Sequence, residues 1–131
     1  MRNCLITLIL LTLAGCAISP TSTAPPNDKE LSRTSDLARA AFEDGATAKA
    51  IDLYAKALNR AIVMDDATEI GNAAYNLALC HIILGQLDQA NAVLAEAKAA
   101  FVRSGSNPAD VLLLEATLAQ RQGRLEQALS L

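Results

Sequence analysis

Apolar and polar positions divide the chain into three stretches. Residues 4–13 are mostly apolar, residues 17–27 read AISPTSTAPPN, and from residue 29 onward alanine and leucine are interspersed with charged side chains. Abundant Ala and Leu with few β-branched runs is typical of helices. Single glycines, the Asp65-Asp66 pair and Pro108 interrupt this last stretch, and Pro108 can open a helix. The pattern predicts an all-α protein with helices over residues 29–43, 47–64, 67–84, 87–103, 108–122 and 125–131.

The first stretch has the three parts of a secretory signal: a charged start with Arg2, an apolar run and a small-residue processing site. The run of about ten residues is too short for a membrane-spanning helix, which needs about 20. It ends in Leu13-Ala14-Gly15-Cys16, which resembles the lipobox of bacterial lipoproteins. The resemblance implies cleavage before Cys16, a diacylglyceryl thioether on its sulfur and acylation of the new amino group. A plain signal peptide cut at another site is the alternative.

This interpretation makes residues 1–15 a signal peptide and residues 16–28 a lipidated cysteine with its linker. A segment rich in proline and hydroxyl residues cannot bury a core, so we expect an extended tether of about 30–40 Å. Ala17, not aspartate, follows the cysteine. By resemblance to enterobacterial lipoprotein sorting, this favours the outer membrane. We therefore expect a protein of the bacterial cell envelope, lipid-anchored at the outer membrane and facing the periplasm, because two or three acyl chains anchor stably.

Three glycines set the phase of an internal repeat. Gly45, Gly85 and Gly123 are 40 and 38 residues apart. An alanine lies seven residues before each of these glycines, and another lies five residues after it. A fixed period of this length predicts a solenoid of stacked helices. The alanines that share this phase are Ala38, Ala50 and Ala57 in the first copy, Ala78, Ala90 and Ala97 in the second, and Ala116 and Ala128 in the third.

These positions resemble the tetratricopeptide repeat, most closely in residues 74–78 (AYNLA) followed by residues 85–90 (GQLDQA). The resemblance implies pairs of antiparallel helices that close through small residues. It gives a domain over residues 29–131 with about two and a half to three repeats, at about 31–66, 71–106 and a truncated 109–131. The spacing exceeds the usual period of about 34 residues, so we expect helices with extra turns. A generic alanine-rich helical bundle is the alternative.

In tetratricopeptide proteins the first helix of each repeat lines a concave groove that binds ligands. The resemblance therefore implies a protein or peptide partner, and the mixture of apolar and charged groove positions suits an extended or helical segment. Ordinary packing is the alternative role for each residue. The groove positions carried over by register are Ser32, Ser35, Arg39, Phe42 and Glu43, then Asn72, Tyr75, Leu79, Ile82 and Ile83, and finally Asp110, Leu113, Thr117, Gln120 and Arg121.

Charge and candidate chemistry narrow the function classes. Without Arg2, ten basic side chains face 14 acidic ones and form no cluster, which argues against nucleic-acid binding. His81 is the only histidine, so a catalytic triad or a multi-histidine zinc site is excluded. Its neighbour Cys80 is the thiol left after Cys4 and Cys16, and adjacent helical residues do not face each other. We expect a packing role for both, and no enzyme activity, metal, cofactor or small-molecule substrate.

The expected function is a membrane-anchored scaffold or adaptor. A pilotin-like assembly factor for a type IV pilus or secretin system is one alternative, and an adaptor for cell-wall or outer-membrane assembly is another. The chain ends at Leu131, about two turns into the sixth predicted helix. Because a solenoid needs a last helix with a polar outer face, we expect either a truncated N-terminal repeat module of a longer protein or an end that pairs with another chain.

Overall fold

A computed structural model describes residues 28–123 and residue 130. Helices and turns without strands form this part of the chain, so the all-α class is confirmed. None of its helices is long and apolar enough to cross a bilayer. The predicted signal peptide, Cys16, linker residues 17–27 and Ala128 lie outside the described residues. The helices are α1 (Lys29–Glu43), α2 (Thr47–Val63), α3 (Ala67–Ile83), α4 (Leu87–Ser104) and α5 (Ala109–Arg121).

The observed ends of these helices agree with the predicted ones to within one residue. Pro108 does not open the fifth helix as its first residue; it is the N-cap, and the helix begins at Ala109. The backbone N–H of Ala109 donates to Oδ1 of Asn107 at 3.0 Å, which supplies the partner that a proline cap cannot. Of the predicted sixth helix, the structure describes Ser130, which lies in a turn.

Helices α1 to α4 all end in the same turn. After α3, the N–H of Gly85 donates to the carbonyl of Ile82 at 3.1 Å, and the N–H of Gln86 donates to that of His81 at 2.9 Å. This pair of bonds is the Schellman arrangement, which places a left-handed residue at its centre. Gly85 has a φ of +73° there, and Asp65 holds the same position after α2 with a φ of +52°. The repeated turn reverses the chain at each helix end, so successive helices pack as antiparallel neighbours.

Two aspartates begin helices by capping them. Asp28 precedes α1, and its carboxylate accepts the backbone N–H of Leu31 and the Nη2 of Arg60, both at 2.8 Å. These bonds lower the pKa of Asp28, with Leu31 the larger cause and Arg60 the next. Since Arg60 lies near the end of α2, the same carboxylate joins the start of one helix to the end of the next. Asp66 caps α3 through two backbone N–H groups of its first turn, each at 3.1 Å.

Alanines form the contacts between the helices. Each helix packs on the next one along the chain, and α3 also contacts α5. A methyl side chain lets two helices approach closely, as a larger residue would not. Six of the predicted repeat alanines are fully buried, and Ala116 is half-buried. The alanines with 0 % exposure are Ala38, Ala50, Ala57, Ala61, Ala74, Ala78, Ala90, Ala97 and Ala100.

Gly71 brings α3 and α4 into close contact. It lies inside α3, and a Cβ built on it would be 2.8 Å from Cδ1 and Cε1 of Phe101, which belongs to α4. A glycine inside a helix lowers the helix propensity by about 1 kcal/mol relative to alanine. Here its missing side chain provides the space for the aromatic ring.

Candidate binding cleft

A cleft of about 460 Å³ opens between α1 and α3. Its volume falls within the roughly 300–1,000 Å³ that is usual for ligand pockets. Each of the two helices presents one face to it, because the lining residues recur at spacings of three and four. We call this site the α1–α3 cleft. Its lining residues are Ser35, Asp36, Arg39, Phe42 and Glu43 of α1, Tyr54 of α2, and Glu69, Asn72, Ala73 and Asn76 of α3.

Tyr54 contributes from α2 and is only 5 % exposed. Its hydroxyl makes no hydrogen bond within residues 28–123, yet no fully buried side-chain oxygen or nitrogen in this part of the chain lacks a partner. The hydroxyl must therefore keep access to solvent, and the cleft that Tyr54 lines provides it. Burial raises the pKa of Tyr54, Cys80 raises it further, and the nearby Arg39 and Glu43 act in opposite directions. The two charges of α1 thus lie within electrostatic reach of the hydroxyl.

The charged residues of the α1–α3 cleft are three carboxylates and one guanidinium. Nη2 of Arg39 forms an ion pair with Oδ1 of Asp36, one turn earlier on the same exposed surface of α1. Glu43 and Glu69 take part in no ion pair among the described residues. Partial burial and, to a smaller extent, Asp66 raise the pKa of Glu69. The cleft therefore carries an excess of negative charge, part of it half-buried.

Five of the predicted groove residues meet in this cleft. Ser35, Arg39, Phe42 and Glu43 line it from α1, and Asn72 lines it from α3. Nδ2 of Asn76 donates to the backbone carbonyl of Asn72 at 2.8 Å, which leaves the carbonyl oxygen of the Asn76 side chain available as an acceptor. The cleft thus offers carboxylates, amides, a hydroxyl and two aromatic rings to a ligand.

The other predicted positions on α3 lie elsewhere. Ile82 is 2 % exposed and belongs to the core, so it is not a groove residue. Tyr75 and Leu79 are half-buried and pack against the core, while Ile83 is 47 % exposed but does not line the cleft. The lining face of α3 includes Ala73 and is turned by about one residue step, roughly 100°, from the predicted face.

The predicted positions on α5 do not reach the α1–α3 cleft. Nη1 of Arg121 donates to the backbone carbonyl of Ile82 at 3.0 Å, which ties α5 to the end of α3. Burial and, to a smaller extent, Asp110 raise the pKa of Tyr75, so the start of α5 is near this residue of α3. Leu113 and Gln120 are exposed on α5, Leu113 to 70 %.

Sequence reasoning missed five of the cleft residues: Asp36, Tyr54, Glu69, Ala73 and Asn76. Glu69 precedes Asn72 by three positions on the same helix, so helical spacing alone could have found it. Asp36 precedes Arg39 by three positions on α1 in the same way. Tyr54 could not be found by this route, because it comes from the second helix of the pair and its lining role depends on how α2 packs.

Cys80 and His81 have separate surroundings. Cys80 is fully buried, and burial raises the pKa of its thiol to about 11. Nδ1 of His81 is 2.7 Å from Oε1 of Gln86, which is a hydrogen bond in the tautomer that carries the proton on Nδ1. Each side chain therefore has a local packing or turn role. Within residues 28–123 and 130, no three His, Cys, Asp or Glu side chains are grouped so that they could hold a metal ion.

Comparison of the chain with protein-family models, with curated proteins and with solved structures finds no match. The function is therefore inferred from the residues and from the geometry of the α1–α3 cleft.

Proposed function

We propose that the protein is a membrane-anchored scaffold of tetratricopeptide type, which binds a segment of a partner protein in the α1–α3 cleft. The observation that carries the proposal is the meeting of Arg39, Phe42 and Asn72 at one cleft. These residues come from corresponding helices of two successive copies of the repeat. A cleft between corresponding helices accommodates an extended or helical segment whose side chains alternate between the two walls.

Repetition of the local geometry supports the solenoid. Gly45, Gly85 and Gly123 have φ values of +76°, +73° and +74°, so the three repeat glycines share one backbone conformation. In the first two copies the alanines in phase with them are fully buried. A generic bundle does not require the same turn and the same buried methyl group at a spacing of 40 residues, whereas stacked repeats require both.

The anchor is supported by the sequence Leu13-Ala14-Gly15-Cys16 after the apolar run, and by the proline-rich residues 17–27 that follow it. Acyl chains on Cys16 hold the protein at the membrane, and the linker lets the helical domain reach a partner at a distance of about 30–40 Å. The physical effect of the anchor is to raise the local concentration of the domain near a partner in the envelope.

The binding role is tested by co-purification from detergent-solubilised envelopes. Asn72→Arg adds a long cation to the lining that also holds Glu43 and Glu69 and should fill the cleft, so the proteins recovered with the parent chain should be lost. Asn91→Arg makes the same change on the exposed surface of α4, outside the cleft, and should leave them unchanged. If the same partner proteins are recovered with Asn72→Arg as with the parent chain, the cleft is not the binding site.

The anchor is tested separately. Cys16→Ser removes the thiol that the lipid requires, and the chain should then leave the membrane fraction. Cys80→Ser is the matched control for loss of a thiol, since Cys80 is fully buried and cannot carry a lipid. If Cys16→Ser stays with the membranes as the parent does, lipid anchoring is wrong, while binding in the cleft is unaffected.

A further inference from the structure

The α1–α3 cleft has unneutralised negative charge. Its guanidinium, from Arg39, is paired with Asp36, and both side chains are more than 60 % exposed, on the outer part of α1. Glu43 and Glu69 have no cationic partner among the described residues. Glu69 is also partly buried, so it has already lost part of its hydration in the free protein. A cation that enters the cleft gains from this carboxylate without removing as much water as it would at an exposed one.

Tyr54 provides an independent observation at the same place. Its side chain is more than nine-tenths buried and lines the cleft, yet its hydroxyl has no hydrogen-bond partner in residues 28–123. The hydroxyl keeps access to solvent through the cleft, so a ligand in the cleft can reach it. The hydroxyl lies close enough to Glu43 and Arg39 for their charges to act on it. A donor group that enters between the carboxylates would therefore also reach a phenolic oxygen.

The aromatic lining favours the same kind of ligand. Phe42 is half-buried and lines the cleft together with Tyr54, and the face of an aromatic ring attracts a cation. The methylene part of a long basic side chain can pack on such rings while its charged end reaches a carboxylate.

We propose that the α1–α3 cleft binds a lysine or arginine side chain of the partner segment. The inference rests on the proposed function and specifies the chemistry of the partner. The charged end pairs with Glu43 and Glu69 and donates a hydrogen bond to the hydroxyl of Tyr54, and the carbonyl oxygen of Asn76 is available to accept another. A segment that places an acidic side chain in the cleft is repelled, because Glu43 and Glu69 are unpaired within the described part of the chain and Arg39 is already paired with Asp36.

The experiment is a titration of the full chain in detergent micelles, followed by two-dimensional ¹⁵N–¹H NMR. The side-chain amides of Asn72 and Asn76 report from the cleft, and that of Asn91 reports from outside it. The probes are three acetylated alanine-serine peptides that differ only in a central arginine, citrulline or glutamate. Arginine amide is a fourth probe, which tests whether a free cation binds without a peptide backbone.

We expect the arginine peptide to shift the Asn72 and Asn76 signals in a saturable way, and the citrulline peptide to bind about tenfold more weakly. The variants Glu43→Gln and Glu69→Gln should each weaken the binding of the arginine peptide by a similar factor. Tyr54→Phe should also weaken its binding, because it removes the hydroxyl and keeps the ring. Glu96→Gln, on the exposed surface of α4, is the matched control and should change nothing.

Each other result overturns the inference in an identifiable way. If the citrulline peptide binds as tightly as the arginine peptide, charge is not recognised, although the cleft still binds peptides. If arginine amide binds as tightly as the arginine peptide, the ligand is a small cation and not a protein segment. If none of the peptides shifts Asn72 or Asn76, a basic segment is excluded, and the effect of Asn72→Arg on co-purification then decides the proposed function independently.

Discussion

The loss of stability caused by Gly85→Ala, in the turn after α3, can be predicted quantitatively. The φ of +73° at Gly85 is unfavourable for a residue with a side chain, at roughly 1–2 kcal/mol. A Cβ added there would meet no atom within 4 Å, so Gly85→Ala neither gains nor loses a contact. Alanine also restricts the unfolded chain, which returns about 0.4–1 kcal/mol. The difference is a loss of about 1 kcal/mol, which corresponds to a fall in Tm of about 4–8 °C for a domain of this size.

Thermal and urea unfolding, followed by circular dichroism at the helix band, measure this loss. The urea dependence of the unfolding free energy should not change, because the surface exposed on unfolding is the same. Gly85→Asn should lose less than Gly85→Ala, since asparagine tolerates the left-handed conformation. Gln89→Ala, at an exposed position of α4, is the control for a change without backbone strain. A Tm for Gly85→Ala at or above that of the parent would refute the assigned backbone conformation.

Three further predictions follow from individual residues. Asp65→Gly should raise Tm, because Asp65 holds the same left-handed position with a φ of +52°, and an unchanged or lower Tm would show that its side chain has another role. Gly71→Ala should lower Tm despite the better helix propensity of alanine, since its Cβ would lie 2.8 Å from the ring of Phe101. In a Phe101→Leu background the same change should become stabilising, and a double-mutant cycle with additive effects would argue against the contact. Glu69→Gln should raise the unfolding free energy at neutral pH, because burial and a neighbouring charge raise the pKa of Glu69 above its ordinary 4.5, so its ionisation weakens the folded state as the pH rises through that value. The gain should disappear well below pH 4.5, where both states hold the proton, and a loss at neutral pH would contradict the assignment.

The helices and their packing residues could be predicted from the sequence. Glycine and alanine recur in a fixed phase, and each has a direct physical consequence: glycine permits the left-handed turn, and alanine permits close approach of two helices. Ala38 and Ala78 are therefore fully buried at the places where the phase puts them. Asp65 was predicted to lie in a turn, but its positive φ was not, because an aspartate at this position gives a weaker signal than a glycine.

The face of α3 that lines the cleft could be predicted only in part. α3 contacts α2, α4 and α5, so it is buried on several sides and has apolar residues all round. The amphipathic pattern that identifies an exposed face is weak in such a helix. Asn72 and Ile82 were both predicted from the register of the repeat; Asn72 lines the cleft, whereas Ile82 is buried. Tyr54 depends on the packing of α2 between its neighbours, which the sequence of one helix does not contain.

Photo-crosslinking in intact envelopes tests most directly whether the α1–α3 cleft is the partner-binding surface. A benzophenone amino acid is placed in the full chain at position 39, at the exposed side of the cleft, or at position 91, on the exposed surface of α4. We predict light-dependent adducts with a partner polypeptide from position 39 and none from position 91, and fewer adducts from position 39 when Glu43 and Glu69 are replaced by glutamine. Adducts that form equally from both positions, or from position 91 alone, would contradict binding in the cleft.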